Sequence, residues 1–410
     1  MGRSAVSDAF PYFSDEEHES RFKRVREKMA ENDIDILLIH GAGNVGNSVG
    51  QVNLSWLAGY AWSMESFLVF PYEGEPSLTL AVPIQIENAL QLSYVQDIRS
   101  YEEGGPALLK AFEIMKELHA ERGRIGIVGP GNTNAVGYTL YKEQYDLLLQ
   151  TFPDADIVNA TTWFDDLRLI KSEEELEVLI KAAKINDLAY HELVQTTRPG
   201  REERDLQRAV FALAARHGAT YPFISVAAKD SFNPPSYDPA FYPTNNVIKE
   251  HNLIQAELTL GYGTTYSNKM WPLFFVGEPD KDYIRMQETA AKVYQDLLAG
   301  LKVGMKGHEV SKFLQPIADA GFEQAGNTVV GGWSNQMHRP QMGVLPGSWS
   351  EAFAEADKDK TLEKGMTITL HVWLKVPNTQ KAYWMGSTGA MTDNGFETFN
   401  KFPVDELIIL

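Results

Sequence analysis

The chain contains no cysteine. Disulfide frameworks, thiolate nucleophiles and thiolate metal sites are therefore excluded. No apolar run approaches the ~20 residues that span a bilayer. The opening stretch, MGRSAVSDAFPYFSDEEHES, lacks the apolar core of a secretory signal, so a cytoplasmic protein is expected. Basic charge is also short. Lys and Arg number 37 against 55 Asp and Glu, which leaves a net charge of −18 at pH 7. That balance disfavours nucleic acid and anionic membranes as partners, since both require basic patches. It favours solubility and is compatible with a cationic ligand.

What is present is a chain of 410 residues with an ordinary hydrophobic fraction of 44%, enough for two or three domains with substantial cores. Ser14 is placed to cap a helix, with Glu17 at the capping-box position. Phe22, Val25 and Met29 follow at helical spacing. Ile34 to His40 reads as a buried strand. The run Gly41 to Gly46 after it matches GxGxxG, but NSVGQVNLSWLAGY is a poor helix and Glu65 lies in an irregular aromatic stretch. A glycine turn is therefore predicted there, not a dinucleotide site. FLVFPYEGEPSLTLAV gives two strands around a Glu-Gly turn. Helices are expected at Ile84 to Tyr94, Ala107 to Arg122 and Gly137 to Phe152, with strands at Arg124 to Val128 and Ala155 to Asn159. Such alternation predicts a three-layer α/β domain.

A boundary is predicted near Trp163 to Ile170, giving domains 1–165 and 166–410. Beyond it, Ser172 caps a helix whose first turn, Glu173 to Glu175, suits the helix dipole. Tyr190 to Ala219 and Tyr294 to Phe322 form an internal repeat. Each reads helix, glycine turn, helix, with Gly200 matching Gly304. Duplication of that kind implies two halves related by a pseudo-two-fold axis, with a site where they meet.

The stretch Asn252 to Pro279 reads as a hairpin. Glu257 lies on its inbound strand, a Gly/Thr/Tyr turn spans Gly261 to Tyr266, and Asn268 and Lys269 open the outbound strand. This hairpin, with the helix pairs and LRLIKSEEELEVLIKAA, resembles the creatinase, prolidase and aminopeptidase P superfamily over essentially the whole chain. The resemblance implies an α/β N-terminal domain and an α+β pita-bread C-terminal domain with a curved antiparallel sheet. It also implies a homodimer, with Trp62 reaching the partner's site.

The superfamily's metallopeptidases hold two metal ions with two aspartates, a histidine and two glutamates. By resemblance Glu257 takes the first aspartate position and Asn268 or Lys269 the second. Neither an amide nor an ammonium replaces a bridging carboxylate. Trp333 falls where the ligand histidine is expected, His338 near a second, substrate-facing histidine, and His371 at the first glutamate. The span Tyr383 to Met391 offers no carboxylate. No metal and no cofactor are therefore expected. Metal-free members exist, among them creatinase and ectoine hydrolase, and in the latter a glutamate at the first aspartate position forms a covalent intermediate.

The expected activity is metal-independent hydrolysis of a C–N bond in a small polar amidine, guanidine or amide. Glu257 would be nucleophile or base, His371 a proton shuttle, and His338 a second catalytic histidine. Tyr237, Phe241, Tyr266, Asn268, Lys269, Trp271, Trp333, Trp373 and Trp384 are the expected substrate contacts. Aromatic faces beside a carboxylate suit a cationic or a flat cyclic ligand. The bland readings stand beside these: a structural Glu257–Lys269 ion pair, core histidines and core aromatics. The alternative functions are a non-catalytic ligand-binding protein, a lyase using Glu257 or Tyr266 as base, and a retained Xaa-Pro metallopeptidase.

Overall fold

The computed structural model describes residues 10–41, 52–60, 62, 64–129, 140–237, 242–263, 266–333 and 337–410, without the side chains of 220–222, 337 and 338. Apart from Gly41, the predicted glycine turn at 41–46 lies outside the described residues, as does Phe241. The chain divides into two compact units, Met1–Arg168 with Gly263–Thr265, and Leu169–Tyr262 with Tyr266–Leu410. No described helix is long and apolar enough to cross a membrane.

In the first unit α1 (Asp15–Glu31) starts at Ser14, whose Oγ accepts from the Glu17 backbone N–H at 3.1 Å. The Glu17 carboxylate accepts from Arg21 Nε one turn on, at 2.6 Å. Six strands follow: β1 (Ile36–Gly41), β2 (Ser66–Pro71), β3 (Ser77–Leu80), β4 (Asp97–Arg99), β5 (Arg124–Val128) and β6 (Asp156–Asn159). They form one mixed sheet in the order β4-β3-β2-β1-β5-β6. The β1 run is apolar from Ile36 to Ile39 because both its faces are covered. Leu37 and Ile39 pack in one cluster with Trp56 of α2 (Val52–Ala58) and Phe164 of α6 (Thr161–Leu169). Ile36 and Leu38 pack in another with Phe112 of α4 (Ala107–Glu117) and Leu148 of α5 (Lys142–Thr151). The three-layer reading is thus met.

Three predicted helices are shorter than read; the one expected at Gly137 to Phe152 begins, within the described residues, at Lys142 and ends at Thr151. A 3₁₀ turn at Pro83–Gln85 leads into α3 (Ile86–Leu92), which stops where Ser93 turns extended. The helix from Ala107 breaks after Glu117, where His119 takes a left-handed conformation, φ 58°.

In the second unit α7 (Glu173–Thr196) carries a full capping box. Ser172 accepts from the Glu175 N–H, and the Glu175 carboxylate accepts from the Ser172 N–H. Gly200 then turns the chain with φ +90° into α8 (Glu203–Arg216). The second copy of the repeat begins the same way, with α9 (Lys281–Gly300) and Gly304 at φ +86°. Its second helix does not persist. It is split into α10 (Gly307–Val310), a 3₁₀ turn at Ser311–Leu314, and α11 (Gln315–Asp319). Pro316 lacks an N–H and its ring crowds the carbonyl one turn back, so an α-helical ladder cannot run through it and a new helix starts with the proline in its first turn.

One sheet of this unit has the order β10-β8-β7, from β7 (Thr220–Asp230), β8 (Asn252–Gly261) and β10 (Leu273–Phe275), with β9 (Ser267–Met270) also pairing β8. The other contains β11 (Glu323–Gln324), β12 (Val330–Trp333), β13 (Met337–Met342), β14 (Thr367–Lys375), β15 (Ala382–Thr392) and β16 (Gly395–Thr398), with α12 (Glu351–Ala356) before β14. Alternation assigns the faces. Ile254, Ala256, Leu258 and Leu260 of β8, and Ile368, Leu370, Val372 and Leu374 of β14, enter a single core with α7 and α9. The intervening residues, Gln255, Glu257 and Thr259 on β8 and Thr369, His371 and Trp373 on β14, take the opposite face. Thr388 of β15 joins the sheets. Its Oγ1 accepts from the Lys269 N–H at 3.1 Å and donates to the Lys269 carbonyl at 2.8 Å.

Glycines seat the large rings of that face. Gly386 pairs with His371 across β14 and β15, and a Cβ there would meet the Leu370 carbonyl oxygen and the Trp271 indole. A Cβ at Gly326 would meet the Trp373 indole. Gly386→Ala is expected to cost about 1–3 kcal/mol through overpacking. Urea unfolding checks this, and an unchanged midpoint would contradict the packing described.

Candidate functional site

The hairpin register decides which polar groups meet. Thr259 pairs with Lys269 and Leu260 with Asn268. Lys269 therefore shares a face with Glu257, while Asn268 turns to the helix side. There the Asn186 amide of α7 donates to Asn268 Oδ1 at 2.7 Å. Tyr266 also points that way, and its hydroxyl donates to the Glu175 carboxylate at 2.8 Å. The substrate contacts expected of Asn268 and Tyr266 are not what this geometry provides, because both side chains are tied to α7.

Glu257 and Lys269 form an ion pair, Oε1 to Nζ 2.7 Å, with each side chain 13% exposed. The ammonium lies 4.9 Å from the Trp271 ring centre and 5.5 Å from that of Trp333. Both rings are almost fully buried, and Trp333 is held by its Nε1–H, which donates to the Ser267 carbonyl at 2.7 Å. The faces that could cage a ligand cation thus already hold the chain's own lysine.

His371 stacks flat on Trp271, with ring centres 4.1 Å apart and planes 7° off parallel. Burial, and then the Lys269 charge, push its pKa down to about 3. The ring is neutral at physiological pH. The proton-shuttle role expected of it requires an imidazolium that this environment disfavours. Beside it Trp373 and Trp384, a cross-strand pair, lie 5.0 Å apart at 64°. Their ring centres are 5.5 and 6.3 Å from that of His371. Tyr237 meets Trp373 edge-on at 6.3 Å.

Three expected residues are not brought to this cluster by anything described. His338 lies on β13 opposite Gly332, with its side chain outside the description. Phe241 is outside the described residues. Trp62 packs partly buried against the core of the N-terminal unit.

Residues not singled out from the sequence complete the face. Ser225 pairs with Glu257. Lys229, two positions further along the same face than Ala227, is almost buried, and its Nζ donates to Gln255 Oε1 at 3.0 Å and to the Ser236 carbonyl at 3.1 Å. The available signal was alternation in ISVAAKD, which places Ser225 and Lys229 on one side of the strand.

A metal pair does not fit these donors. Glu257 Oε1 is already engaged by an ammonium, which would repel a divalent cation. Asn268 faces α7, an indole stands at position 333, and His371 is stacked beneath Trp271. Among the described residues no group of three or more His, Cys, Asp or Glu side chains could hold a metal ion.

An α/β unit followed by a two-sheet α+β unit, with a carboxylate on the inbound strand of the hairpin, defines the pita-bread class. The chain belongs to metallopeptidase family M24, a family of hydrolases, whose pattern matches residues 177–394, while residues 21–170 match the creatinase/prolidase N-terminal domain. It is 24% identical to ectoine hydrolase of Halomonas elongata over 95% of this chain and 97% of that protein. It is 22% identical to the probable dipeptidase PepE of Mycobacterium tuberculosis over 62% of this chain and only 64% of that protein's length. Among solved structures, the Xaa-Pro dipeptidase of Bacillus anthracis superposes with a TM-score of 0.77 at 20% identity, covering 96% of this chain and 100% of that one. The prolidase of Pyrococcus horikoshii gives 0.75 at 19%, covering 95% and 100%. At these identities the structural likeness shows the fold.

The buried imidazole makes stability depend on pH. Its folded pKa lies below the ordinary 6.5, so the unfolded chain binds the proton first. The His371 contribution is complete above pH 6.5 and is lost as pH falls toward about 3. His371→Phe keeps a flat ring on Trp271 and should remove about one proton's worth of this acid sensitivity. Urea midpoints between the two pKa values check it. An unchanged pH slope would show that the ring is not held neutral.

Proposed function

We propose that this protein hydrolyses a C–N bond in a small amidine, guanidine or amide without a metal, using Glu257 as nucleophile or as the base that activates water. The observation that carries the reading is the place of Glu257 on the inbound strand of the hairpin with a protein ammonium 2.7 Å from it; the pair is also the one that the structural reading of these two residues expects. End-to-end similarity to ectoine hydrolase supports a small-molecule substrate, whereas the dipeptidase match is partial.

As nucleophile, a Glu257 oxygen bonds to the trigonal carbon. The C–N bond breaks as the departing nitrogen takes a proton, and Lys269 is the charged donor beside the carboxylate. Water then cleaves the covalent link, which restores the Glu257 carboxylate, and the proton released returns to Lys269. His371 acts as a neutral hydrogen-bonding ring and not as a shuttle. Homodimerisation, expected from the resemblance, is proposed with this reading. A second reading draws on the same contact: a carboxylate already engaged by Lys269 also suits a protein that binds its ligand without turnover.

Substrate depletion followed by mass spectrometry decides between them. The panel holds creatine, ectoines, guanidino acids, cyclic amides and Xaa-Pro dipeptides, each with and without chelator. Turnover should resist chelator and fall by about 10²–10⁴ or more in Glu257→Gln. Chelator-sensitive dipeptide cleavage would overturn the metal-free reading. Full activity in Glu257→Gln would remove the carboxylate from the chemistry.

A further inference from the structure

We propose that Trp373 and Trp384, with His371 beside them, form a subsite for a hydrogen-bond-accepting anionic group of the ligand, a carboxylate, and not for a cation. The inference deepens the proposed function and rests on reading the Glu257 face as the substrate site.

Three buried polar atoms in this cluster have no hydrogen-bond partner among the described residues: Trp373 Nε1, Trp384 Nε1 and His371 Nε2. Trp384 and His371 are 1% and 5% exposed. Buried polar groups are normally paired, so unpaired ones at one place call for a missing partner. An indole N–H donates and cannot accept. Whatever completes this pair must therefore bring acceptor atoms. The donors are fixed in place, since the Trp373 ring packs against Gly326 and the two indoles face each other across β14 and β15.

The charge arrangement points the same way. A cation would need a free aromatic face with an acid nearby. The faces of Trp271 and Trp333 are taken by Lys269, and the Glu257 charge is balanced by that same lysine. Among the described residues no group of three or more His, Cys, Asp or Glu side chains could hold a metal cation. The neutral state of His371 also favours this role, because a ring with one N–H can donate to an anion without the cost of burying a charge. A carboxylate bound here would lie beside the Glu257–Lys269 pair, so the ligand would carry its acceptor group next to the bond to be cleaved.

The test uses two flat probes that differ in charge and carry no trigonal C–N centre: benzoate and benzyltrimethylammonium. Indole N–H signals are assigned in ¹H–¹⁵N spectra with Trp373→Phe and Trp384→Phe, and each probe is titrated into the unsubstituted protein. Benzoate should shift both signals saturably, and Trp384→Phe should weaken its binding about tenfold or more, as expected for loss of a bond to a charged group. An equal or stronger response to the cation, or no saturable response to benzoate, overturns the subsite. Should Trp384→Phe fail to fold, the titration of the unsubstituted protein with Trp373→Phe still decides. Benzoate binding without turnover on any panel substrate would retain the subsite and reject the hydrolase. Turnover without the indole shifts would do the reverse.

Discussion

The ion pair between Glu257 and Lys269 is the constraint on which the rest of the site depends. Two charges taken largely out of water are costly, and their attraction offsets that cost only when geometry and surroundings cooperate. Here the lysine backbone is clamped on both its N–H and its carbonyl by Thr388, so the residue is fixed where the two sheets join. Its ammonium also lies near two indole rings, a favourable setting for a partly desolvated cation. Removing either partner would leave the other charge buried and uncompensated. The pair is thus a structural tie as well as the proposed chemical centre.

From that pair the character of the neighbouring residues follows. Burial and the Lys269 charge together keep His371 neutral, and the ring lies flat on Trp271. Trp271 in turn packs against Gly386, which pairs with His371 across the strands. The glycine, the indole, the imidazole and the ammonium are therefore one packing unit. A change at any one of them alters the electrostatics felt by Glu257.

Much of this was legible in the sequence, for reasons that differ by residue. Ser172 and Glu175 announced their helix because a capping box is a local device with a fixed spacing. The faces of β8 and β14 followed from strict alternation, and the apolar β1 from a run with no polar side. The choice between Asn268 and Lys269 was not legible. A one-residue slip sends every side chain to the other face of a strand, and only pairing across the sheet fixes the register. The seats at Gly326 and Gly386 were equally hidden, since a glycine that makes room for a distant ring leaves no signal in its own neighbourhood. The split second helix of the repeat was announced by Pro316, but the match to the first copy masked it. Lys229 was overlooked because a lone lysine near the end of a strand reads as solvent-facing until its partner strand is known.

Membership of a metallopeptidase family and a donor set that does not fit a metal pair are compatible once charge is followed through the site. A divalent cation beside a carboxylate neutralises it, orients it and polarises the substrate. An ammonium 2.7 Å away can do the first two but is a weak substitute for the third. It can also give up a proton, which a metal ion cannot do directly. In the proposed reaction the emphasis shifts from Lewis-acid activation toward proton transfer to the leaving nitrogen. Within the proposed subsite the N–H groups of Trp373 and Trp384 hold the ligand's carboxylate and not the reacting carbon, in a buried aromatic setting where each bond counts for more than it would in water.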